Sequence, residues 1–146
     1  MKTISRYLLT LVALFAMTTG AWADELQTSY TTNARIENAV TVSADMDITI
    51  ASGVYVSLGS GLTIANGKTL TVRGGGTLAV YGTNSNPGEA GHPAIVGDII
   101  IKGANLVAEG GWGDHGAKGD NNAYGDGGKG GQGTEGGAAI IGAVTI

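Results

Sequence analysis

The sequence predicts an all-β protein of the parallel β-solenoid class, on three observations. Short apolar-x-apolar units recur every eight residues at 62–64, 70–72 and 78–80, each with two apolar side chains on one face. The turns between them, "ANGK" and "RGGG", are rich in residues that tolerate positive φ. The octet "AIVGDIII" at 94–101 returns as "AIIGAVTI" at 139–146, and this offset of 45 residues is typical of modular repeat proteins.

Two architectures accommodate these units. Three-residue strands with Gly or Asn at the corners fit solenoid coils of about 20 residues, whereas strands in hairpin sheets usually run to about five or six residues. The alternative is an antiparallel β meander, in which Asn66-Gly67 would form a two-residue hairpin turn. We expect the parallel β-helix-like solenoid, with a glycine-rich excursion.

Residues 1–23 have the organisation of a secretory signal peptide. Lys2 and Arg6 form a basic start, an apolar run follows, and Ala21-Trp22-Ala23 is a small-x-small cleavage site. The apolar run is well short of the roughly 20 residues that span a bilayer. Cleavage after Ala23 would leave a secreted, extracellular or outer-surface chain without a transmembrane segment.

Charge and cysteine content exclude several classes of function. The chain carries 8 basic and 12 acidic side chains, and removal of Lys2 and Arg6 moves the formal charge from −4 to about −6. The remaining basic residues are scattered, so nucleic acid is not expected as a partner. With no cysteine, the chain has no disulfide, thiolate nucleophile or cysteine metal site.

The mature chain divides into four segments. Residues 24–36 show no sustained periodicity and are interpreted as a leader or cap, and residues 37–111 as the solenoid coils. Residues 112–138 form a glycine-rich tract, and residues 139–146 begin a second repeat. Because that repeat lacks the rest of its unit, the sequence suggests the N-terminal part of a longer repeat protein.

From 110 to 137 glycine falls at every third position, except where Asn122 and Thr134 stand. A three-residue glycine period is the spacing of extended helices whose backbones approach closely. Two interpretations remain open: a flexible linker, or a polyglycine-II-like excursion that packs against equivalent excursions of neighbouring repeats.

The succession of "ANGKTLTVRGGGTLAVYG", "AIVGDIIIKGANLVAEGGWG", a glycine tract and "AIIGAVTI" resembles glycine-rich repeat proteins, secreted or surface-located, of host-associated bacteria such as Bacteroidetes and spirochaetes. The resemblance covers most of the mature chain. It implies a parallel β-helix-like fold and an adhesin-like or carbohydrate-binding role, with glycans or cell-surface polymers as partners. It carries no catalytic signature.

Candidate binding residues lie in the glycine tract. Trp112 and Tyr124 are its aromatic residues, and exposed rings on a rigid scaffold suit stacking with sugars. Asp114, Asp120 and Asp126 supply oxygen donors for Ca²⁺, but they recur every six residues without the apolar partner of the calcium-binding nonapeptide, so no cofactor is expected.

No set of residues has the pattern of a catalytic site. Asp45 and Asp47 lie on one side of a strand without a basic residue in the same segment, and a solvated strand face explains them. Glu89, His92 and Asp98 surround a turn, where a lone histidine is usually a surface residue. We therefore expect a non-enzymatic adhesin-like or glycan-binding module; a structural stalk is the alternative, and a polysaccharide-lyase-like β-helix enzyme comes third.

Overall fold

A computed structural model describes residues 25–86, 88–114 and 133–146, so residues 1–23, which the sequence predicts to be a signal peptide, lie outside the described residues. These residues form thirteen β-strands and no helix. The strands are β1 (Ser29–Tyr30), β2 (Ala34–Ile36), β3 (Val40–Val42), β4 (Met46–Ile50), β5 (Tyr55–Leu58), β6 (Leu62–Ile64), β7 (Thr69–Gly74), β8 (Thr77–Tyr81), β9 (Ile95–Val96), β10 (Asp98–Lys102), β11 (Asn105–Glu109), β12 (Ile140–Ile141) and β13 (Val144–Thr145).

The strands build three sheets, and successive strands along the chain go to successive sheets. Sheet A has the order β1-β4-β7-β10-β13, sheet B the order β11-β8-β5-β2, and sheet C the order β12-β9-β6-β3. All the ladders between these strands are parallel. The chain is therefore a three-faced parallel β-solenoid, as the sequence predicts.

The eight-residue spacing is the number of residues from a strand of one sheet to the equivalent position on the next strand, in the next sheet. Leu62, Leu70 and Leu78 open equivalent units on β6, β7 and β8, which lie in sheets C, A and B. The antiparallel meander is not adopted: Asn66-Gly67 lies at the corner between two sheets, where Lys68 N donates to the carbonyl of Ala65 at 2.9 Å.

The 45-residue offset is one coil. Ile95 pairs with Ile140 in sheet C, and Ile99 pairs with Val144 in sheet A. Residues 139–146 thus complete one coil with β12 and begin the next with β13. At the other end, the segment 24–36 that the sequence left without periodicity supplies β1 and β2 to the first coil.

Aliphatic side chains fill the interior between the sheets. Inward rows such as Ile48, Val72 and Ile101 repeat from coil to coil, and among the described residues no polar side chain is buried. Tyr30 belongs to this core, and its hydroxyl accepts a hydrogen bond from Gln27 N at 2.8 Å. Burial raises the pKa of Tyr30, because the interior disfavours a phenolate.

Asparagine and aspartate side chains connect successive coils. In four places a side-chain Oδ1 accepts a hydrogen bond from a backbone N–H one coil later. The pairs are Asn33 with Tyr55 N (2.8 Å), Asp45 with Thr69 N (2.9 Å), Asn84 with Trp112 N (2.9 Å) and Asp98 with Ala143 N (3.0 Å). These bonds satisfy donors at the coil corners, where the strand ladders end.

Insertions are confined to one corner of the solenoid. The corners from sheet A to B and from C to A take one to four residues in every described coil. The corner from B to C takes three residues after β2 and after β5, but 13 residues after β8 and 30 after β11. The two long excursions therefore leave from stacked positions.

We call the described parts of these two excursions the glycine spur: residues 82–86, 88–94, 110–114 and 133–139. Its segments are held together by backbone hydrogen bonds in several directions. These are His92 N to Thr83 O (3.0 Å), Ser85 N to Trp112 O (3.0 Å), Gly111 N to His92 O (2.8 Å), Gly91 N to Glu135 O (3.0 Å) and Gly137 N to Gly111 O (2.7 Å). These bonds join the described ends of the two excursions. Residues 115–132 of the glycine tract, which the sequence predicts to be a flexible linker or a polyglycine-II-like excursion, lie outside the described residues.

Glycine is required where the spur segments touch. A Cβ would overlap a carbonyl oxygen of a neighbouring segment at each close approach: Gly82, Gly91, Gly110, Gly111, Gly113 and Gly137. Thr134, which interrupts the three-residue glycine period, accepts a hydrogen bond from Asp114 N at 2.6 Å and donates one to the carbonyl of Glu89. A side chain is accommodated there because its hydroxyl bonds two neighbouring segments, in addition to the backbone bond from Thr134 N to the Asp114 carbonyl at 2.9 Å.

The corner glycines provide a first test of the fold. Gly97 and Gly67 both have positive φ (+114° and +71°), but a Cβ on Gly97 would lie 2.6 Å from the Ile64 carbonyl, whereas one on Gly67 would meet open space. Gly67→Ala should cost about 1–2 kcal/mol of unfolding free energy through backbone strain. Gly97→Ala should cost roughly 1–3 kcal/mol more through overlap. Urea denaturation of residues 24–146 measures both, and equal losses would contradict the assigned stacking at Gly97.

Adjacent spur glycines provide a second test. A Cβ on Gly137 would overlap the His92 carbonyl, whereas one on Gly136 would lie 3.5 Å from the Gly111 carbonyl, an ordinary contact. Gly137→Ala should therefore loosen the spur, and Gly136→Ala should not. Trp112 is the one tryptophan left after removal of residues 1–23, so its fluorescence anisotropy reports on the spur directly. We expect lower anisotropy for Gly137→Ala alone, while the melting of the strands changes little; a matching drop in Gly136→Ala would count against the packing described.

Candidate functional site

Trp112 is the most exposed aromatic side chain described, at 65% of its full surface. Its backbone is nevertheless held on both sides, because its N–H donates to Asn84 Oδ1 at 2.9 Å and its carbonyl accepts from Ser85 N at 3.0 Å. Ser85 Oγ adds a longer bond of 3.3 Å to the same carbonyl. The spur thus presents a largely exposed indole from an anchored backbone.

The other candidate residues, Tyr124 for sugar stacking and Asp114, Asp120 and Asp126 for calcium, divide between described and undescribed parts of the chain. Tyr124, Asp120 and Asp126 lie outside the described residues. Asp114 lies at the outer limit of the described spur, where its Oδ2 accepts a hydrogen bond from Gly88 N at 3.0 Å. Among residues 25–86, 88–114 and 133–146, no three His, Asp or Glu side chains are arranged to hold a metal ion.

Asp45 and Asp47 have separate roles on sheet A. Asp45 accepts from Thr69 N, and Asp47 Oδ1 lies 3.0 Å from Arg73 Nε. The strand register also places Lys102 directly beside Arg73. The coils therefore supply the basic neighbours that the local segment of Asp47 lacks, and Asp47, Arg73 and Lys102 are all exposed on the outer face of sheet A.

Glu89, His92 and Asp98 are distributed over different elements. Glu89 Oε2 accepts from Asn86 Nδ2 at 3.2 Å within the spur, while Asp98 on β10 accepts from Ala143 N. His92 takes part in the spur through its backbone, and its side chain is exposed. Each residue thus has a separate structural environment, and the three do not form an acid–base centre.

A pair of tyrosines on sheet B was missed from the sequence. Tyr55 on β5 and Tyr81 on β8 bring their hydroxyl oxygens to 2.9 Å. This hydrogen bond raises the pKa of Tyr55, with smaller contributions from burial and from the charge of Tyr81. The two residues are 26 positions apart, a spacing that matches neither the eight-residue units nor the 45-residue repeat.

Arg35 and Glu37 lie next to the tyrosine pair. The Arg35 guanidinium makes a two-point contact with the Glu37 carboxylate, through Nε to Oε1 and through Nη2 to Oε2 at 3.4 Å. The hydrogen bond to Glu37 is the main reason that the pKa of Arg35 is raised, and Tyr81 adds a smaller electrostatic contribution. Sheet B therefore combines two phenols with a charge-compensated ion pair.

Two grooves accompany these surfaces. One, of about 490 Å³, follows the edge of the first coil and is lined by Glu25, Leu26 and residues 39–46. The other, of about 240 Å³, lies at the base of the spur and is lined by residues 60–63, Thr83, His92, Pro93 and Val96. Both are partly open to solvent and neither gathers a cluster of charged groups, so the exposed aromatic residues are the stronger candidates for ligand contact.

None of the described residues belongs to a helix long and apolar enough to cross a membrane. No protein-family model matches the chain, and neither a curated protein nor a solved structure matches it. Arguments about function therefore depend on the side chains that this solenoid displays: the anchored Trp112 on its glycine spur, and the joined tyrosines on sheet B.

Proposed function

We propose that this protein is a non-enzymatic, secreted or cell-surface β-solenoid module with an adhesin-like, glycan-binding role. The observation that carries the proposal is Trp112, whose ring is 65% exposed while its backbone is bonded on both sides. A tryptophan offers a large flat apolar face together with one N–H donor, the combination that a sugar ring and its hydroxyls require.

The spur makes this contact favourable because its backbone is already ordered. Binding by a flexible loop would lose part of its free energy to ordering the loop, and a fixed backbone avoids that cost. The close backbone approaches at Gly110, Gly111 and Gly113 hold the chain on either side of the ring. On binding a glycan, the protein would therefore lose little conformational entropy beyond that of the indole side chain itself.

A stalk or spacer without its own ligand is the second candidate. The inward aliphatic rows and the side-chain bonds between coils make each coil a similar structural layer, as in spacer repeats that contact only their neighbours. A lyase-like enzyme is the third, and its support is the set of Asp47, Arg73 and Lys102 on sheet A. The exposure of that set argues against it, since catalytic acids and bases are normally tuned by burial.

Removal of the indole tests the proposal. Trp112→Ala in residues 24–146 should weaken glycan binding about tenfold or more, because it removes the stacking face. Ile141→Ala is the matched control, since Ile141 is 53% exposed on the outer face of sheet C. Glycan-array binding followed by calorimetry with the best ligand measures both.

Two other results would decide against the proposal. If neither the wild type nor any variant binds a glycan, the spacer is favoured. If the wild type shortens a polysaccharide with formation of unsaturated ends, and Lys102→Ala abolishes that reaction, the protein is an enzyme.

A further inference from the structure

The register of sheet B fixes the distance between the Cα atoms of Tyr55 and Tyr81. Tyr55 pairs with Thr77 on the neighbouring strand β8, and Tyr81 is four residues farther along that strand. At about 3.3 Å per residue along a strand and about 4.8 Å between strands, the two Cα atoms are roughly 14 Å apart. This separation is large for two side chains that touch.

Contact between the hydroxyls at 2.9 Å therefore requires both side chains to extend toward each other along the strand direction. A tyrosine that stood upright from the sheet would not reach its partner. The two rings consequently lie over the outer face of sheet B, end to end, and form a single elongated strip. We call Tyr55 and Tyr81, with Ser57 and Ala79 beneath them, the tyrosine platform.

The residues under the rings support this arrangement. Ala79 lies between the inward Leu78 and Val80, so strand alternation places its side chain on the outer face. Ala79 is nevertheless fully buried, although it does not belong to the hydrophobic cluster between the sheets. Its cover must therefore come from the outer face, where Ser57 and Val107 lie beside it in the register and the two tyrosine hydroxyls meet. Small side chains at Ser57 and Ala79 let the rings lie low on the sheet.

The platform keeps one side open to solvent. Tyr55 is 41% exposed and Tyr81 is partly exposed, so part of each aromatic surface is available. The phenol–phenol hydrogen bond consumes one donor and leaves the second hydroxyl proton for a ligand. The strip thus offers an apolar surface with hydroxyl groups at its centre.

The charges around the platform select the class of ligand. Arg35 is paired with Glu37, and the register places the exposed Glu109 directly beside Tyr81. The charges next to the rings therefore disfavour an anionic ligand. The chain as a whole carries a formal net charge of −4, which disfavours polyanions in general. A neutral polysaccharide satisfies both conditions, because its ring faces are apolar, its edges are hydroxyls, and its extended shape matches an elongated strip.

We propose that the tyrosine platform on sheet B is a second glycan-binding site, and that it takes a neutral polysaccharide lying along the strands. The inference depends on the proposed function in that the ligand is a glycan. The platform lies on sheet B, whereas Trp112 lies on the glycine spur, and none of the contacts that define the platform involves Trp112.

Affinity electrophoresis of residues 24–146 tests the platform with four soluble neutral polymers, a β-glucan, a mannan, a xylan and a starch-type α-glucan, and with polygalacturonate as the anionic comparison. Calorimetry on any polymer that retards the protein gives Kd. We expect at least one neutral polymer to bind, and Tyr55→Ala and Tyr81→Ala each to raise its Kd about tenfold. Tyr55→Phe keeps the ring and should raise Kd less than the alanine variant does.

Ile141→Ala controls for loss of an exposed apolar side chain elsewhere, and far-ultraviolet circular dichroism with thermal melting confirms that each variant is folded. If an alanine variant does not fold, the comparison is made with Tyr55→Phe and Tyr81→Phe, which preserve the bulk over Ala79. Folded tyrosine variants that bind the neutral polymer as the wild type does would overturn the platform.

Trp112→Ala separates this inference from the proposed function. Binding that is lost in Trp112→Ala and unchanged in the tyrosine variants would overturn the platform and leave the proposed function standing. Retardation by polygalacturonate alone would do the same. Loss in the tyrosine variants with an unchanged Trp112→Ala would support the platform and remove Trp112 from the site. No binding to any polymer would overturn both.

Discussion

The structure depends on the stacking of inward aliphatic side chains in matching positions from coil to coil. Ile48, Val72 and Ile101 form one such row, and the parallel ladders on either side keep it in register. A slip of one residue would turn every inward side chain outward, so the interior leaves no freedom in how coils align. The same register decides which outer residues meet: Asp47 with Arg73, Asn84 with the Trp112 backbone, and Tyr55 with Tyr81.

Local pattern was enough to predict the class of fold, because a solenoid repeats its local rules on every face. The units at Leu62, Leu70 and Leu78 show those rules directly, and the paired octets show one complete coil. The first coil was harder to recognise. Its strands β1 and β2 have only two and three residues, too few to establish a period, and they become strands through pairing with the coil above.

The candidate site was only partly predictable, for a related reason. Trp112 could be selected from composition, since an aromatic residue in a glycine tract has few partners nearby. The first excursion lies within the range 37–111 that the sequence predicts as coils, although Gly82 and Gly91 approach backbones as closely as the glycines of the second excursion do. The tyrosine pair depends on corner lengths in two coils together, and a linear spacing of 26 residues carries no sign of it.

The three corners of the solenoid differ in whether the length of the connecting loop can vary. Two of the three corners join neighbouring sheets in at most four residues, so any lengthening there would displace a strand from its ladder. At the third corner, 3 residues in one coil and 30 in another leave the ladders intact. Mutations can therefore change the loops at the corner from sheet B to sheet C while the three sheets keep the same structure. The glycine contacts set one limit on that freedom, since each new loop must fit against the loop beside it.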